Sequence, residues 1–422
     1  VNLPAPSALD TLARSRLLLA CVLLAALLLV ATAAIRFQAP GLLGAAKILT
    51  DFDAFHIAGT LAARGEVDAA YDAARMMDAQ AEIASVRSFM PYTYPPPFTL
   101  IADALARLPI GSAYALFALA SFGLYLAVLR RIAGEGLLLV LLALIPTIML
   151  NLRTGQTGFL VAGLVGAFLL AWRDNRALAG LPLGLLVIKP HLAVGAGLLA
   201  LFGRRWDVVA IAAVVAATAA GLATFVYGMA VWASFLGAVR EAGTFLADGH
   251  YPMYRMSSAY AFFLTIGVPA PAALTAHFAL AAVAASLLIW TALARTAFRH
   301  RAALVCVLSL FVSPYNYDYD LALIGIALAF ILPDIAARAS PPALAGLLAL
   351  SWATGGYGMA INTWKVETSV SFESNAELAH LSATFPLLVA LCAAVIWVIH
   401  APAGAEGDTA GTPPAIRAAS RR

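Results

Sequence analysis

Charge is what this chain of 422 residues has least of. Asp, Glu, Lys and Arg together make up 11% of it, against about 25% in soluble domains, and a water-facing surface of ordinary polarity is therefore excluded. Cysteine is scarce too. Cys21, Cys306 and Cys392 all fall within apolar stretches, with neither the spacing of a zinc site nor the density of a disulfide framework, and they read as small buried hydrophobes. No GKS/T loop and no GxGxxG sequence is present, so nucleotide-driven chemistry lacks its phosphate cradle. The net charge of +4 is spread along the chain rather than gathered into a basic tract, which argues against nucleic acid as a partner. The alternating ten-residue pattern of an outer-membrane barrel is also missing.

What the chain does have is apolar mass. Hydrophobic residues fill 63% of its positions, in stretches near the roughly 20 residues a helix needs to cross hydrocarbon. Backbone groups at that depth must pair internally, so the spans are expected to be helices. The fold class is all-α, a polytopic transmembrane helical bundle. The first span is read at about 17–35, with Arg14 and Arg16 ahead of it. Ala31 to Ala34 also resembles a signal-peptide cleavage site, the alternative for this segment. Further spans are expected near 112–129, 136–150, 158–172, 177–188, 191–202, 207–229, 271–294, 302–314, 319–332, 342–357 and 381–399. Basic turns at Arg130-Arg131, Arg173 to Arg176, Arg204-Arg205, Arg295 to Arg301 and Arg338 come at alternate connections. By the positive-inside tendency those turns are cytoplasmic, giving twelve spans with both termini inside. Two segments, 97–108 and 258–267, are too short to cross and read as partial or re-entrant helices. Residues 1–400 thus form one transmembrane domain with long outer loops at 36–96, 230–257 and 358–380. The tail, 401–422, is rich in Ala, Gly, Pro and Thr and is expected to be disordered.

The polar residues that interrupt this pattern cluster on the outer side. Thr50-Asp51-Phe52-Asp53-Ala54-Phe55-His56 opens the first outer loop. A carboxylate at an apolar boundary is suited to take a proton from a hydroxyl; a solvated loop or a helix cap is the plain alternative. Tyr92-Thr93-Tyr94 precedes Pro95-Pro96-Pro97, where tyrosines serve either as interface belt or as a platform for a sugar or lipid head group. Arg153 and Gln156 lie in a turn between two spans, where Arg153 requires an anionic neighbour. Lys189-Pro190-His191 sits between short apolar stretches with almost no loop, and ionisable residues at membrane depth are functional candidates, with a snorkelling lysine as the alternative. His250, Tyr254 and Arg255 follow in the second large loop. Tyr315-Asn316-Tyr317-Asp318-Tyr319-Asp320 closes the series, its aromatic and acidic groups alternating like a binding surface for a polyhydroxyl ligand, with an interfacial aromatic belt as the alternative for the tyrosines. Metal binding through Asp318, Asp320 and a histidine is possible on composition, but the spacing does not indicate it.

Taken in order, several of these segments resemble glycosyltransferase family 87, transferases that depend on polyprenyl-phosphate sugars. The matching elements are Asp51-Phe52 with Ala58-Gly59, Gly65 with Tyr71-Asp72, Tyr94-Pro95-Pro96, Gly155-Gln156-Thr157-Gly158, Lys189-Pro190-His191, and Ser313-Pro314-Tyr315 through Tyr319-Asp320. Together they cover about residues 40–325. The resemblance implies a GT-C-like bundle with a catalytic carboxylate in the first outer loop, which is Asp51, at the family's Asp-Phe position. Asp53 departs from the family, which more often has an apolar residue there, and His56 falls at a variable position. The expected donor is a hexose, mannose-like, on polyprenyl phosphate, and the acceptor a glycolipid or glycan outside a bacterial inner membrane. No cofactor is required on this reading. Tyr94, Arg153, Gln156, Lys189, His191 and Arg255 are assigned to the donor. Asp53, His56, His250, Tyr315, Tyr317, Asp318, Tyr319 and Asp320 are candidates for sugar or acceptor contacts. The rival reading is a secondary transporter or lipid-carrier flippase, which would need internal repeats and midplane charges.

Overall fold

The computed structural model describes Leu12, residues 14–367 and residues 380–400. The expected tail, 401–422, lies outside the described residues, as does most of the last outer loop. Within them the chain is helical, and its only β-type pairing is an isolated antiparallel bridge between Met256 and Tyr317. Helix α1 is Arg16–Gln38. Its buried face, Ala26, Val30, Ala33 and Phe37, packs into the bundle, and Gln38 accepts a hydrogen bond from the Gly111 amide at 3.1 Å.

The segment expected as the first outer loop folds into helices of its own: α2 (Asp51–Ala63), α3 (Val67–Ala70) and α4 (Ala73–Ala84). The first partial helix is α5 (Pro96–Ala106), started by prolines that sit where no intrahelical N–H is needed. It packs along α2. Helix α6 (Ile110–Ala133) then carries the chain to the far end. The chain reverses at Gly134–Gly136 and returns through α7 (Leu137–Ala143) and α8 (Ile145–Thr154), which break at Leu144, just ahead of Pro146. The expected span 136–150 is therefore two short helices in series. Their far end is back beside the start of α6, where Tyr114 donates to the Leu152 carbonyl.

Helix α9 (Gly158–Arg173) follows, then α10 (Gly180–Leu185) and α11 (Val194–Phe202). At about 1.5 Å per residue, neither α10 nor α11 alone approaches the roughly 30 Å of a hydrocarbon core. Both are extended by 3-10 turns that meet at Lys189. The chain continues through α12 (Trp206–Tyr227), α13 (Ala230–Ala247), the second partial helix α14 (Ala259–Thr265), α15 (Ala270–Leu293) and α16 (Phe298–Ser309). It ends with α17 (Ala322–Arg338), α18 (Pro341–Glu367) and α19 (Thr384–His400). Two expected loops thus contain helix: 230–257 is mostly α13, and α18 runs ten residues into 358–380.

Among the described residues, six helical stretches are long and apolar enough to cross a membrane: Arg16–Gln38, Ile110–Ala143 (α6 with the turn and α7 that follow it), Trp206–Tyr227, Ala270–Leu293, Asp318–Arg338 and Pro341–Trp364. Four more are apolar but shorter, at Gly158–Arg173, Ala177–Ile188, Pro190–Phe202 and Thr384–Val398. Of the twelve spans expected from hydropathy, six are matched by length and composition among the described residues. The difference has two causes. Helices surrounded by protein do not have to match the bilayer thickness, and α9 is buried along most of its length; α10 and α11 are shortened instead by the break at Lys189. Helix α17 lies at the centre with most of its residues buried, whereas α12 buries fully only Val208 and Ala223.

The basic turns gather at one end. Arg14 pairs with Glu135 at 2.9 Å, and Arg205 pairs with Asp207 at 2.7 Å and donates to Asn175. Asp334 is held by Arg299 at 2.5 Å, His300 at 3.0 Å and Arg338 at 3.2 Å. The acidic and aromatic segments collect at the opposite end.

Candidate functional site at the acidic end of the bundle

The first turn of α2 separates its two carboxylates into different jobs. Thr50 is the residue before the helix, so Asp51 takes the first helical position and Asp53 the third. Asp53 turns back and accepts from the Thr50 amide at 2.8 Å and from its hydroxyl at 3.3 Å, a capping arrangement that closes orphan helix donors. Its other oxygen meets Lys47 Nζ at 2.5 Å, and Lys47 also donates to the Phe37 carbonyl at 3.2 Å. Burial raises the Asp53 pKa, with Lys47 acting in the opposite sense. His56 faces elsewhere again, its Nε2 3.0 Å from the Leu108 carbonyl oxygen. Burial lowers its pKa. The expected sugar or acceptor contacts at Asp53 and His56 are therefore not part of the cluster that contains Asp51.

Asp51 instead faces Arg255. The guanidinium Nη2 lies 3.7 Å from Asp51 Oδ2 and 3.3 Å from Asp318 Oδ1, and Nε lies 3.4 Å from Asp318 Oδ2. The loops carrying these groups are stitched together by the Met256–Tyr317 bridge and by the Ser257 amide, which donates to the Asn316 carbonyl at 2.9 Å. Helix α18 closes over the pair. A methyl group on Gly358 would collide with the Asp318 carboxylate and press on the Arg255 backbone, so only a residue without a side chain allows this approach. Burial alone would lower the Arg255 guanidinium, yet the neighbouring Asp318 and Asp51 hold it above its ordinary range. About a fifth of the Asp51 and Arg255 side chains remains exposed, while Asp318 is sealed. The opening of the cluster is on the Asp51–Arg255 side.

A second ion pair lies deeper. Lys189 Nζ donates to Asp320 Oδ1 at 2.6 Å, with both side chains buried, and sits 4.5 Å from the centre of the Tyr319 ring. Asp320 also accepts from the Tyr317 amide at 3.4 Å. Tyr319 stacks on Tyr317 with ring centres 5.3 Å apart, and the Arg255 guanidinium lies 5.8 Å from the Tyr317 ring centre. The two aromatic rings thus separate the Arg255 pair from the Lys189 pair. Asn151 fixes this segment by donating to the Tyr319 carbonyl at 3.1 Å.

Tyr94 joins from the first loop. Its hydroxyl is 3.0 Å from Gln156 Oε1 and 3.1 Å from Thr157 Oγ1, and Gln156 also accepts from the Thr157 amide at 3.0 Å. Burial raises Tyr94 above its usual range, despite the hydrogen bond from Thr157. Gly155 makes this turn possible. It adopts a left-handed backbone at φ +67° directly against Phe52 and Tyr114, so the residue after α8 reverses without a Cβ clash. Tyr71 supports Tyr94 from behind, donating to its carbonyl at 3.0 Å.

Of the residues singled out in the sequence, Asp51, Tyr94, Gln156, Lys189, Arg255, Tyr317, Asp318, Tyr319 and Asp320 are brought together. Tyr315 touches the group edge-on through Tyr317 at 5.4 Å. His191 stays beside Lys189 with a buried Nε2 that has no hydrogen-bond partner among the described residues. Arg153 is exposed on the same end, with no partner among the described residues. His250 stands apart, packed against Phe89 and Phe245. Among the described residues, no group of three or more His, Cys, Asp or Glu side chains is placed to hold a metal ion. Lys47 and Gly358 were not anticipated from sequence; Gly358 carries no signal there, whereas Lys47 three residues ahead of Thr50 is an available one.

A profile of glycosyltransferase family 87 matches residues 92–314. That is narrower than the stretch over which the ordered motifs resemble the family, and it includes Tyr94, Gln156, Lys189 and Arg255 but stops short of Asp51, Asp318 and Asp320. No curated protein and no solved structure matches the chain. The match takes in more than half of the 422 residues, and the chain belongs to glycosyltransferase family 87.

Proposed function

We propose that the protein transfers a hexose, mannose-like, from polyprenyl phosphate to an acceptor hydroxyl on the extracytoplasmic face of a bacterial inner membrane, with both termini cytoplasmic. One observation carries this reading: Asp51, a carboxylate at the start of a helix, stands at the open side of a buried charge cluster with a guanidinium 3.7 Å away. In the proposed reaction the acceptor oxygen attacks the anomeric carbon from the face opposite the phosphate. Asp51 takes the hydroxyl proton, the bond from the anomeric carbon to the phosphate oxygen breaks, and polyprenyl phosphate leaves with the electron pair. The anomeric configuration inverts in a single displacement. General-base assistance of this type contributes roughly 10²–10⁴-fold, and a cation aimed at the departing phosphate lowers the barrier further.

The geometry supports different roles for the two cations. Arg255 reaches its carboxylates at 3.3 to 3.7 Å and keeps an exposed edge, so it suits a phosphate. Lys189 is buried on Asp320 at 2.6 Å and suits the framework. Arg153, exposed and unpaired among the described residues, is a second cation for the donor. Tyr94 and Gln156 shape the wall behind Asp51, and Tyr317 and Tyr319 offer the aromatic floor against which a sugar stacks.

The test uses proteoliposomes supplied with a polyprenyl-phosphate hexose and membrane glycolipid acceptors. New glycosidic product and free polyprenyl phosphate in equal amounts, with the opposite anomer in the product, are expected. The break between α10 and α11 at Lys189 is a feature that transporters also use. Movement of the lipid-linked sugar across the bilayer with no new glycosidic bond would favour that second reading and overturn the first.

A further inference from the structure

Arg255 has two anionic partners already, and they are not equivalent. Asp318 is sealed, receives the guanidinium through both Nε and Nη2, and is pressed from behind by Gly358. Asp51 is partly open and meets only Nη2, at 3.7 Å. That distance is beyond a hydrogen bond. Asp318 therefore anchors the side chain and Asp51 holds it loosely. A phosphate arriving at the open side competes with Asp51 for the same N–H face and leaves Asp318 in place.

We propose that Arg255 couples donor binding to release of Asp51: at rest it neutralises the Asp51 carboxylate, and the donor's phosphate draws it away. This rests on the glycosyl-transfer reading and deepens it. The base becomes available to a hydroxyl only when the donor is seated, and water is a poorer competitor in the empty site. After transfer, the polyprenyl phosphate product keeps hold of Arg255 until it leaves.

The arrangement makes a prediction of unusual sign. If Asp51 and the phosphate share one guanidinium, removing the Asp51 charge tightens phosphate binding. The probe is a short-chain polyprenyl phosphate titrated onto the full-length protein in nanodiscs, with the unphosphorylated polyprenol as control. A partly exposed ion pair is worth up to about 1 kcal/mol, so Asp51→Asn is expected to bind the phosphate about fivefold more tightly. Arg255→Gln is expected to weaken it at least tenfold, and in that background Asp51→Asn is expected to bring no gain. An equal gain from Asp51→Asn with and without Arg255 would mean simple charge repulsion and overturn the proposal. So would unchanged or weaker binding in Asp51→Asn with Arg255 present. Arg255→Lys tests folding separately, because it keeps the charge against Asp318 and loses the forked contact. The outcomes separate the two readings. A wild-type protein that binds no polyprenyl phosphate and transfers no sugar refutes the glycosyl-transfer reading. One that transfers sugar, while Asp51→Asn binds the phosphate no better, refutes the coupling alone.

Discussion

Lys189→Met is the perturbation whose outcome follows most directly from the buried pairs. The change keeps a flexible, unbranched apolar stem, with sulfur in place of one methylene, and removes the ammonium. Asp320 is then left with 0% of its side chain exposed and a single long hydrogen bond, from the Tyr317 amide at 3.4 Å. Removing one partner of a buried ion pair typically costs about 3–5 kcal/mol. The lost contact with the Tyr319 ring at 4.5 Å adds up to roughly 2 kcal/mol where the cation is desolvated. The double variant Lys189→Met/Asp320→Leu leaves no uncompensated charge, and replacing a buried pair by apolar groups is often neutral or stabilising. It is expected to recover most of the loss. Heat denaturation of the purified protein in one detergent, followed by tryptophan fluorescence, reads both effects. A Lys189→Met protein as stable as wild type that has lost affinity for polyprenyl phosphate would refute the framework role and return Lys189 to the donor site.

Other consequences are more local. Tyr94→Phe removes two hydroxyl contacts near 3 Å and is expected to cost about 1–3 kcal/mol, seen as a lowered denaturation midpoint. Gly358→Ala forces a methyl group onto Asp318 and the Arg255 backbone; it should weaken polyprenyl phosphate binding and stability together, and a silent substitution would show that α18 does not press on the pair. Asp53→Ala removes the acceptor of the Thr50 amide, a charged hydrogen bond worth about 1.5–3 kcal/mol, and leaves Lys47 without its carboxylate, so stability should fall more than in an exposed cap variant. His56 is held below its ordinary pKa by burial. The unfolded chain then binds more protons than the folded one between the lowered value and 6.5, so stability rises with pH through that window and falls on acidification. His56→Gln should flatten this acidic limb in a melting-temperature profile.

How much of this was legible beforehand differs from residue to residue. Lys189 stood out because an ionisable group between apolar stretches is expensive, but its partner Asp320 is 131 positions away and only the packing of α9, α11 and α17 joins them. Asp51 and Asp53 are both acids in one helical turn, and composition cannot rank them. What separates them is the helix start: Thr50 followed by an acid three positions on is a capping pattern, and Lys47 completes it. The resemblance to the family pointed to Asp51, while the geometry gives an independent reason to set Asp53 aside. The short helices were harder to read. Hydropathy counts apolar residues and cannot see where a helix breaks, so α10 and α11, short pieces interrupted at Lys189, read as ordinary crossings. Gly358 has no sequence pattern at all, and its importance comes from what lies opposite.

The decisive measurement is sugar transfer by Asp51→Asn in proteoliposomes, with polyprenyl phosphate binding followed in the same preparation. A general base is expected to be worth roughly 10²–10⁴-fold in turnover, so transfer should fall by at least a hundredfold while the lipid phosphate still binds. Turnover at the wild-type rate in a folded, phosphate-binding Asp51→Asn protein would contradict the assignment of that carboxylate as the base.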